Sequence, residues 1–168
     1  GGGFEDDVDP SDYDDDGAEE GNPAHLESTY AESLAWHEPK WLVQGLVPFG
    51  GFAQLYGKQK TWKTFLALDL ALCVATGRPF HEHQVQPGKV TYVAAEGSRV
   101  RFRDRITAWL QHNKVDPAAL DGQFFFVNRP VNLTDPRETK AFTRKLRDGR
   151  DRVLVIFDTV AKNSGGQD

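Results

Sequence analysis

Apolar positions along this chain follow two alternating rhythms. In the short runs Phe-Ala-Gln-Leu-Tyr (52–56), Lys-Val-Thr-Tyr-Val-Ala-Ala (89–95), Gln-Phe-Phe-Phe-Val (123–127) and Arg-Val-Leu-Val-Ile-Phe (152–157) most residues are apolar, which predicts four strands. The run at 89–95 is nearly continuous in apolar character, as a parallel strand covered on both faces would be. Longer stretches separate these runs. Residues 65–76, Phe-Leu-Ala-Leu-Asp-Leu-Ala-Leu-Cys-Val-Ala-Thr, are too long for a strand and apolar on nearly every side, so they predict a buried helix. Residues 98–113 place Phe102, Ile106, Trp109 and Leu110 at i, i+4, i+7 and i+8, the stripe of an amphipathic helix. A further helix over 135–148 turns Phe142 and Leu146 inward. This alternation is that of an α/β domain.

Turn residues punctuate the same series. Gly45, Pro48, Gly50 and Gly51 mark a turn into the first strand, Gly77-Arg78-Pro79 stops the first long helix, and Pro87-Gly88, Asp116-Pro117 and Asp121-Gly122 separate later elements. Upstream, residues 24–36 predict a short helix, and Trp36 and Trp41 flank Pro39 at the edge of the fold. Residues 1–21 offer only Phe4, Val8 and Tyr13 for burial, too little to offset the entropy of ordering, and predict disorder. The expected organisation is an acidic disordered segment over 1–23, a linker or short helix over 24–40, and a domain over 41–168.

Charge sharpens that division. The net charge of −5 conceals thirteen Asp and Glu and no Lys or Arg in residues 1–39, so the rest carries 20 basic against 12 acidic residues, a balance of +8. The acidic segment reads as a solvated connector, or as a tail that shields the basic part and competes with nucleic acid for it. The single cysteine, Cys73, allows no disulfide within the chain, which fits a reducing cytoplasm. The apolar run at 65–76 is too short to span a bilayer, so no membrane partner is expected. The chain contains no methionine and opens Gly-Gly-Gly, as a processed piece or fragment would.

Candidate chemistry is concentrated where the first strand meets the first helix. There Gly57, Lys58, Gln59, Lys60, Thr61, Trp62, Lys63 and Thr64 form a turn that meets the phosphate-binding consensus G-x-x-x-x-G-K-[ST] at Gly57, Lys63 and Thr64. Backbone N–H groups at a helix N-terminus hold an anion, the Lys63 ammonium reaches terminal phosphates, and the Thr64 hydroxyl can ligate Mg²⁺. The consensus fails at Trp62, where glycine gives the backbone close access to phosphate and a freedom that tryptophan lacks. Two outcomes are open: nucleotide binds with the indole turned outward, or the site has decayed.

Two carboxylates end strands. Glu96 follows the run at 89–95, at the strand end where α/β sheets bind ligands, and is the candidate base for an attacking water; capping the next helix is its other reading. Asp158 follows four apolar residues, 94 positions after Thr64, the usual form of a Walker B carboxylate that holds Mg²⁺. His81-Glu82-His83 lacks further His or Cys neighbours and reads as a surface turn rather than a zinc site. Basic residues collect on two helices: Arg99, Arg101, Arg103 and Arg105 divide between two faces of 98–113, while Lys140, Arg144, Lys145 and Arg147 lie on the outer side of 135–148. The second group raises the case for nucleic acid, without the interleaved aromatics of a stacking platform.

Residues 41–166 together resemble the RecA-like ATPases of the RepA-type replicative helicase group, AAA-labelled ATPases of phages, plasmids and mobile elements. The resemblance is carried by Trp41-Leu-Val-Gln-Gly-Leu-Val-Pro, by the Gly57–Thr64 turn with Phe-Leu-Ala-Leu-Asp-Leu-Ala after it, and by Gly77-Arg78-Pro79-Phe80. It continues through 87–97, Arg105-Ile106 and Ile156-Phe157-Asp158-Thr159. It implies a RecA-type parallel sheet, hydrolysis of ATP with Mg²⁺, assembly into a homo-oligomeric ring and work on single-stranded DNA. It casts Lys63 as the phosphate lysine, Thr64 as the Mg²⁺ hydroxyl, Glu96 as the catalytic glutamate and Asp158 as the Walker B carboxylate. In such a sheet the strand after Walker B inserts between the Walker A and Walker B strands, so this chain is expected to leave a gap there, with unpaired edges and little or no ATPase activity. The competing expectation is a nucleotide- or DNA-binding regulatory module without turnover; a small-molecule phosphotransferase fits less well, because no lid or acceptor site is visible.

Overall fold

The structure, a computed structural model, describes residues 29–34, 39–58, 61–94, 98–148 and 152–158. The chain divides into two units, Gly1–Glu38 and Pro39–Asp168. In the first, the described residues hold one helical turn, α1 (Tyr30–Ser33), within the helix expected over 24–36; Trp36 and the expected disorder at 1–21 lie outside the described residues.

The second unit begins with a hairpin that the sequence showed only as turns. Strands β1 (Trp41–Val43) and β2 (Val47–Pro48) pair antiparallel around Gly45, whose φ of 73° is one that side-chain-bearing residues rarely adopt. Residues 84–86 extend it: Gln44 N donates to Gln84 O at 2.9 Å and Gln86 N to Leu42 O at 2.8 Å.

The main sheet is parallel. Strands β3 (Lys89–Ala94), β4 (Phe124–Val127) and β5 (Arg152–Asp158) lie in the order β4-β3-β5. In β3 only Lys89 escapes full burial, as its unbroken apolar run predicts for a strand covered on both faces. Helices α2 (Lys63–Thr76), α3 (Arg99–Asn113) and α4 (Pro136–Asp148) cover the sheet. Side chains alternate between faces, so Val90, Tyr92 and Ala94 share one face with their partners Leu154, Ile156 and Asp158. Against that face pack Leu68, Ala71 and Leu72 of α2 and Phe102 of α3, the last with its ring 5.0 Å from Tyr92 and stacked on Phe126 at 4.2 Å. The other face carries Phe157, which meets Phe142 of α4 at 5.8 Å. The result is a three-layer α/β sandwich, the RecA-like class that the sequence predicts. Gly88 permits the close approach of β5, since a Cβ there would lie 2.6 Å from a methyl of Val153.

One expected strand is absent. Residues 51–57 form no strand, and Phe52 and Tyr56 are 86% and 85% exposed. The physical reason is that an isolated extended segment has no ladder to satisfy its N–H and C=O groups. β5 pairs with β3 on one side, and no described strand pairs with its other edge. Among the described residues no helix is long and apolar enough to cross a membrane.

Candidate functional site

The first turn of α2 is built on an unusual residue. Trp62 is the N-cap with φ 61° and ψ 16°, left-handed backbone that glycine adopts at no steric cost. Its carbonyl accepts from Phe65 N at 2.9 Å and Leu66 N at 3.0 Å, which leaves the amides of Lys63 and Thr64 ahead of the first closed turn. The indole points away from the loop: it is 73% exposed and stands edge-on to Phe65 at 5.2 Å. A tryptophan therefore occupies the backbone conformation of the consensus glycine without filling the space that the turn encloses.

The loop closes on its lysine. Lys63 Nζ donates to Gly57 O at 2.8 Å, to Lys58 O at 2.6 Å and to Thr61 Oγ1 at 3.4 Å, while Thr61 Oγ1 donates to Lys58 O at 2.7 Å. A Cβ on Gly57 would come within 3.3 Å of that same Thr61 hydroxyl, so the smallest residue stands where the loop is tightest. Gly57, Lys58, Thr61, Trp62, Lys63 and Thr64 are thus brought together at the N-terminus of a 14-residue helix. Gln59, Lys60 and Glu96 lie outside the described residues.

Asp158 is the last residue of β5, opposite Ala94 of β3. Its Oδ2 accepts a hydrogen bond from the Tyr92 hydroxyl at 2.9 Å. Burial, then the neighbouring carboxylate, pushes the Tyr92 phenol above its ordinary range, so it stays protonated and donating. Sequence reasoning missed Tyr92. The available signal was a polar-tipped aromatic within a fully covered strand, which must find a partner for its hydroxyl.

A second residue missed by the sequence reading is Asp69, the one acid within apolar α2. Its Oδ1 accepts from Trp109 Nε1 of α3 at 2.6 Å and lies 3.8 Å from Cys73 Sγ, and its Oδ2 is 3.6 Å from His81 Nε2. Burial, followed by this carboxylate, pushes the Cys73 thiol up to about 12. Arg105 adds another tie between the helices, its guanidinium 4.5 Å over the Phe65 ring. An open cleft of about 490 Å³ between α2 and α3 is lined by Phe65, Asp69, Arg105, Trp109 and His112, not by residues 57–64. Of the other arginines of α3, Arg99 and Arg103, which the spacing places on one face, take separate partners: Arg99 donates to Asn128 Oδ1 at 2.9 Å and Arg103 pairs with Asp104 at 2.8 Å. The two histidines of the 81–83 turn have separate partners, His83 Nδ1 lying 2.8 Å from Gln44 O.

The residues suit a nucleotide and a hard cation. An amide-rich helix start with one ammonium fits a polyphosphate, and the hydroxyl of Thr64 with the carboxylate of Asp158 is an all-oxygen donor pair of the kind Mg²⁺ takes alongside water and phosphate. Among the described residues no group of three or more His, Cys, Asp or Glu is placed to cage a metal unaided. Comparison with known proteins gives one finding: a family model described as an AAA domain matches residues 22–168. No curated protein and no solved structure matches significantly.

Proposed function

The chain belongs to the AAA-domain family of P-loop ATPases, and from that premise we propose that residues 57–64 bind ATP, with Thr64 and Asp158 holding Mg²⁺ beside it. The observation that carries this reading is the loop wound around Lys63 Nζ at the start of α2. The carbonyls of Gly57 and Lys58 hold the ammonium at the mouth of the turn, from which it moves to the β- and γ-phosphates. The amides ahead of the first closed turn take phosphate oxygens, aided by the helix dipole. When bound, Mg²⁺ neutralises charge on the phosphate oxygens. Glu96, two residues beyond the strand that borders Asp158, orients the attacking water as general base.

The test is titration of the full chain with a fluorescent ATP analogue in the presence of Mg²⁺, with Lys63→Ala as control. Binding that weakens at least tenfold in the variant is expected; equal affinity in the two proteins, or none in a folded wild type, overturns the reading. Turnover is a separate matter. Residues 51–57 pair with no described strand, so no described strand of the sheet fixes the strand side of the loop. That favours a second reading, a nucleotide-binding module without turnover, and steady-state hydrolysis at the rate of a complete helicase would exclude it.

The finer reading is a helicase-like ATPase of DNA replication or recombination that works as a ring on single-stranded DNA. Its support in this chain is the outer face of α4. Arg137, Lys140, Arg144, Lys145 and Arg147 are exposed there, and among the described residues none forms an ion pair. The one acid of the first turn, Glu138, is turned toward Arg129 at 2.9 Å. Such a face offers phosphate contacts without base recognition. Binding of a single-stranded oligonucleotide should weaken with salt, and changing Lys140 and Arg144 to Gln should lower the log–log slope by about 0.7 per cation removed. An unchanged slope would remove α4 from the DNA surface.

A further inference from the structure

Asp158 is held from the neighbouring strand. β3 and β5 run parallel with Tyr92 opposite Ile156 and Ala94 opposite Asp158, so Tyr92 and Asp158 lie on the same face, displaced by two residues along the strand. That displacement is about 6.6 Å at the usual parallel rise, within the span of a tyrosine side chain leaning along its strand. The hydroxyl meets Oδ2 at 2.9 Å. The ring itself has no freedom: it is fully buried, 5.0 Å from Phe102 of α3 and 6.4 Å from Phe124 of β4. Among the described residues this is the one hydrogen bond made by the Asp158 carboxylate.

We propose that Tyr92 is a positioning residue for Asp158, a fixed donor that occupies Oδ2 and keeps the carboxylate in one orientation with Oδ1 available to the cation. The proposal rests on the reading of Asp158 as the Mg²⁺-holding carboxylate. A carboxylate at the end of a strand can rotate about χ1 and χ2, and rotation dilutes the geometry that an octahedral cation demands. Packing from α3 and β4 removes that freedom at Tyr92, and the hydrogen bond passes the restriction to Asp158. This is how partners of metal-holding groups act elsewhere: they orient the ligand without touching the metal.

Tyr92→Phe in the full chain deletes the hydroxyl and keeps the ring. The measurement is the Mg²⁺ concentration that gives half of the cation-dependent gain in affinity for a fluorescent ATP analogue, alongside the affinity without Mg²⁺ and the urea midpoint. In the variant the Mg²⁺ requirement should rise about tenfold, while affinity without Mg²⁺, set by the Lys63 loop, stays within twofold. A purely structural tyrosine would lower the urea midpoint and leave the Mg²⁺ requirement in place, and that result in the folded variant overturns the proposal. A wild type whose nucleotide affinity ignores Mg²⁺ overturns the reading of Asp158 as well, which separates the two failures. Asp158→Asn supplies a second check that does not depend on the stability of the single variant. In that background the hydroxyl has no carboxylate to orient, so adding Tyr92→Phe should leave the Mg²⁺ requirement unchanged. A further tenfold rise there would show that Tyr92 acts by another route.

Discussion

Two apolar stretches, neighbours in sequence, meet opposite fates in this molecule. Residues 68–75 of α2 bring Leu68, Ala71, Leu72 and Val74 into the core, while Phe52, Leu55 and Tyr56, a few positions earlier, stand in the open. Hydrophobicity does not separate the two sets. What separates them is the sheet: α2 lies over β3 and β5, whereas 51–57 forms no ladder with any described strand. An apolar pattern records which residues benefit from cover, and pairing decides which of them obtain it.

The strongest way to break this contrast is a matched pair of truncations. Leu72 is fully buried, and Leu72→Ala should cost about 2–5 kcal/mol through lost transfer energy and the cavity left behind. Leu55 is 51% exposed, and Leu55→Ala should fall within about 0.5 kcal/mol of wild type. Urea denaturation of the full chain reads both. Similar losses at the two sites would mean that the 51–57 segment is packed in solution as tightly as the helix, and the contrast would collapse.

The same contrast explains what the sequence reveals and what it hides. Helices α2, α3 and α4 and strands β3, β4 and β5 were legible within a residue or two, because their periodic or continuous apolar runs reflect burial that the fold supplies. The strand expected at 52–56 failed for the complementary reason: its pattern is genuine, and its ladder partner is missing from the described sheet. Strands β1 and β2, of three and two residues, are too short for a period to register, so Gly45 and Pro48 showed only as turns. At the candidate site the local features were legible. Gly57, Lys63 and Thr64 are read from spacing alone, and Asp158 from its place after an apolar run. Tyr92 and Asp69 were not, since their partners lie 66 and 40 residues away and meet them only through the register of β3 with β5 and the packing of α2 on α3.

Trp62 tests the open region at its most demanding point, with the smallest expected effect. It is the largest side chain in the loop, yet its indole is mostly exposed and its single described ring contact is Phe65. Its backbone at φ 61° carries the steric penalty of a left-handed residue, about 1–2 kcal/mol, which glycine avoids. Glycine in turn gives back about 0.5–1 kcal/mol through the entropy of the unfolded chain. Trp62→Gly should therefore leave stability unchanged or raise it by up to about 1 kcal/mol, although it deletes an entire indole. Trp62→Ala removes the same contacts and keeps the strain, so it should be about 1 kcal/mol less stable than the glycine variant by urea denaturation. If both variants lost the same amount, several times that difference, the indole would be packed and the loop would belong with the core. If glycine exceeds alanine as expected, the tryptophan stands here against the preference of the backbone, and the α2 packing beneath it holds the turn in place.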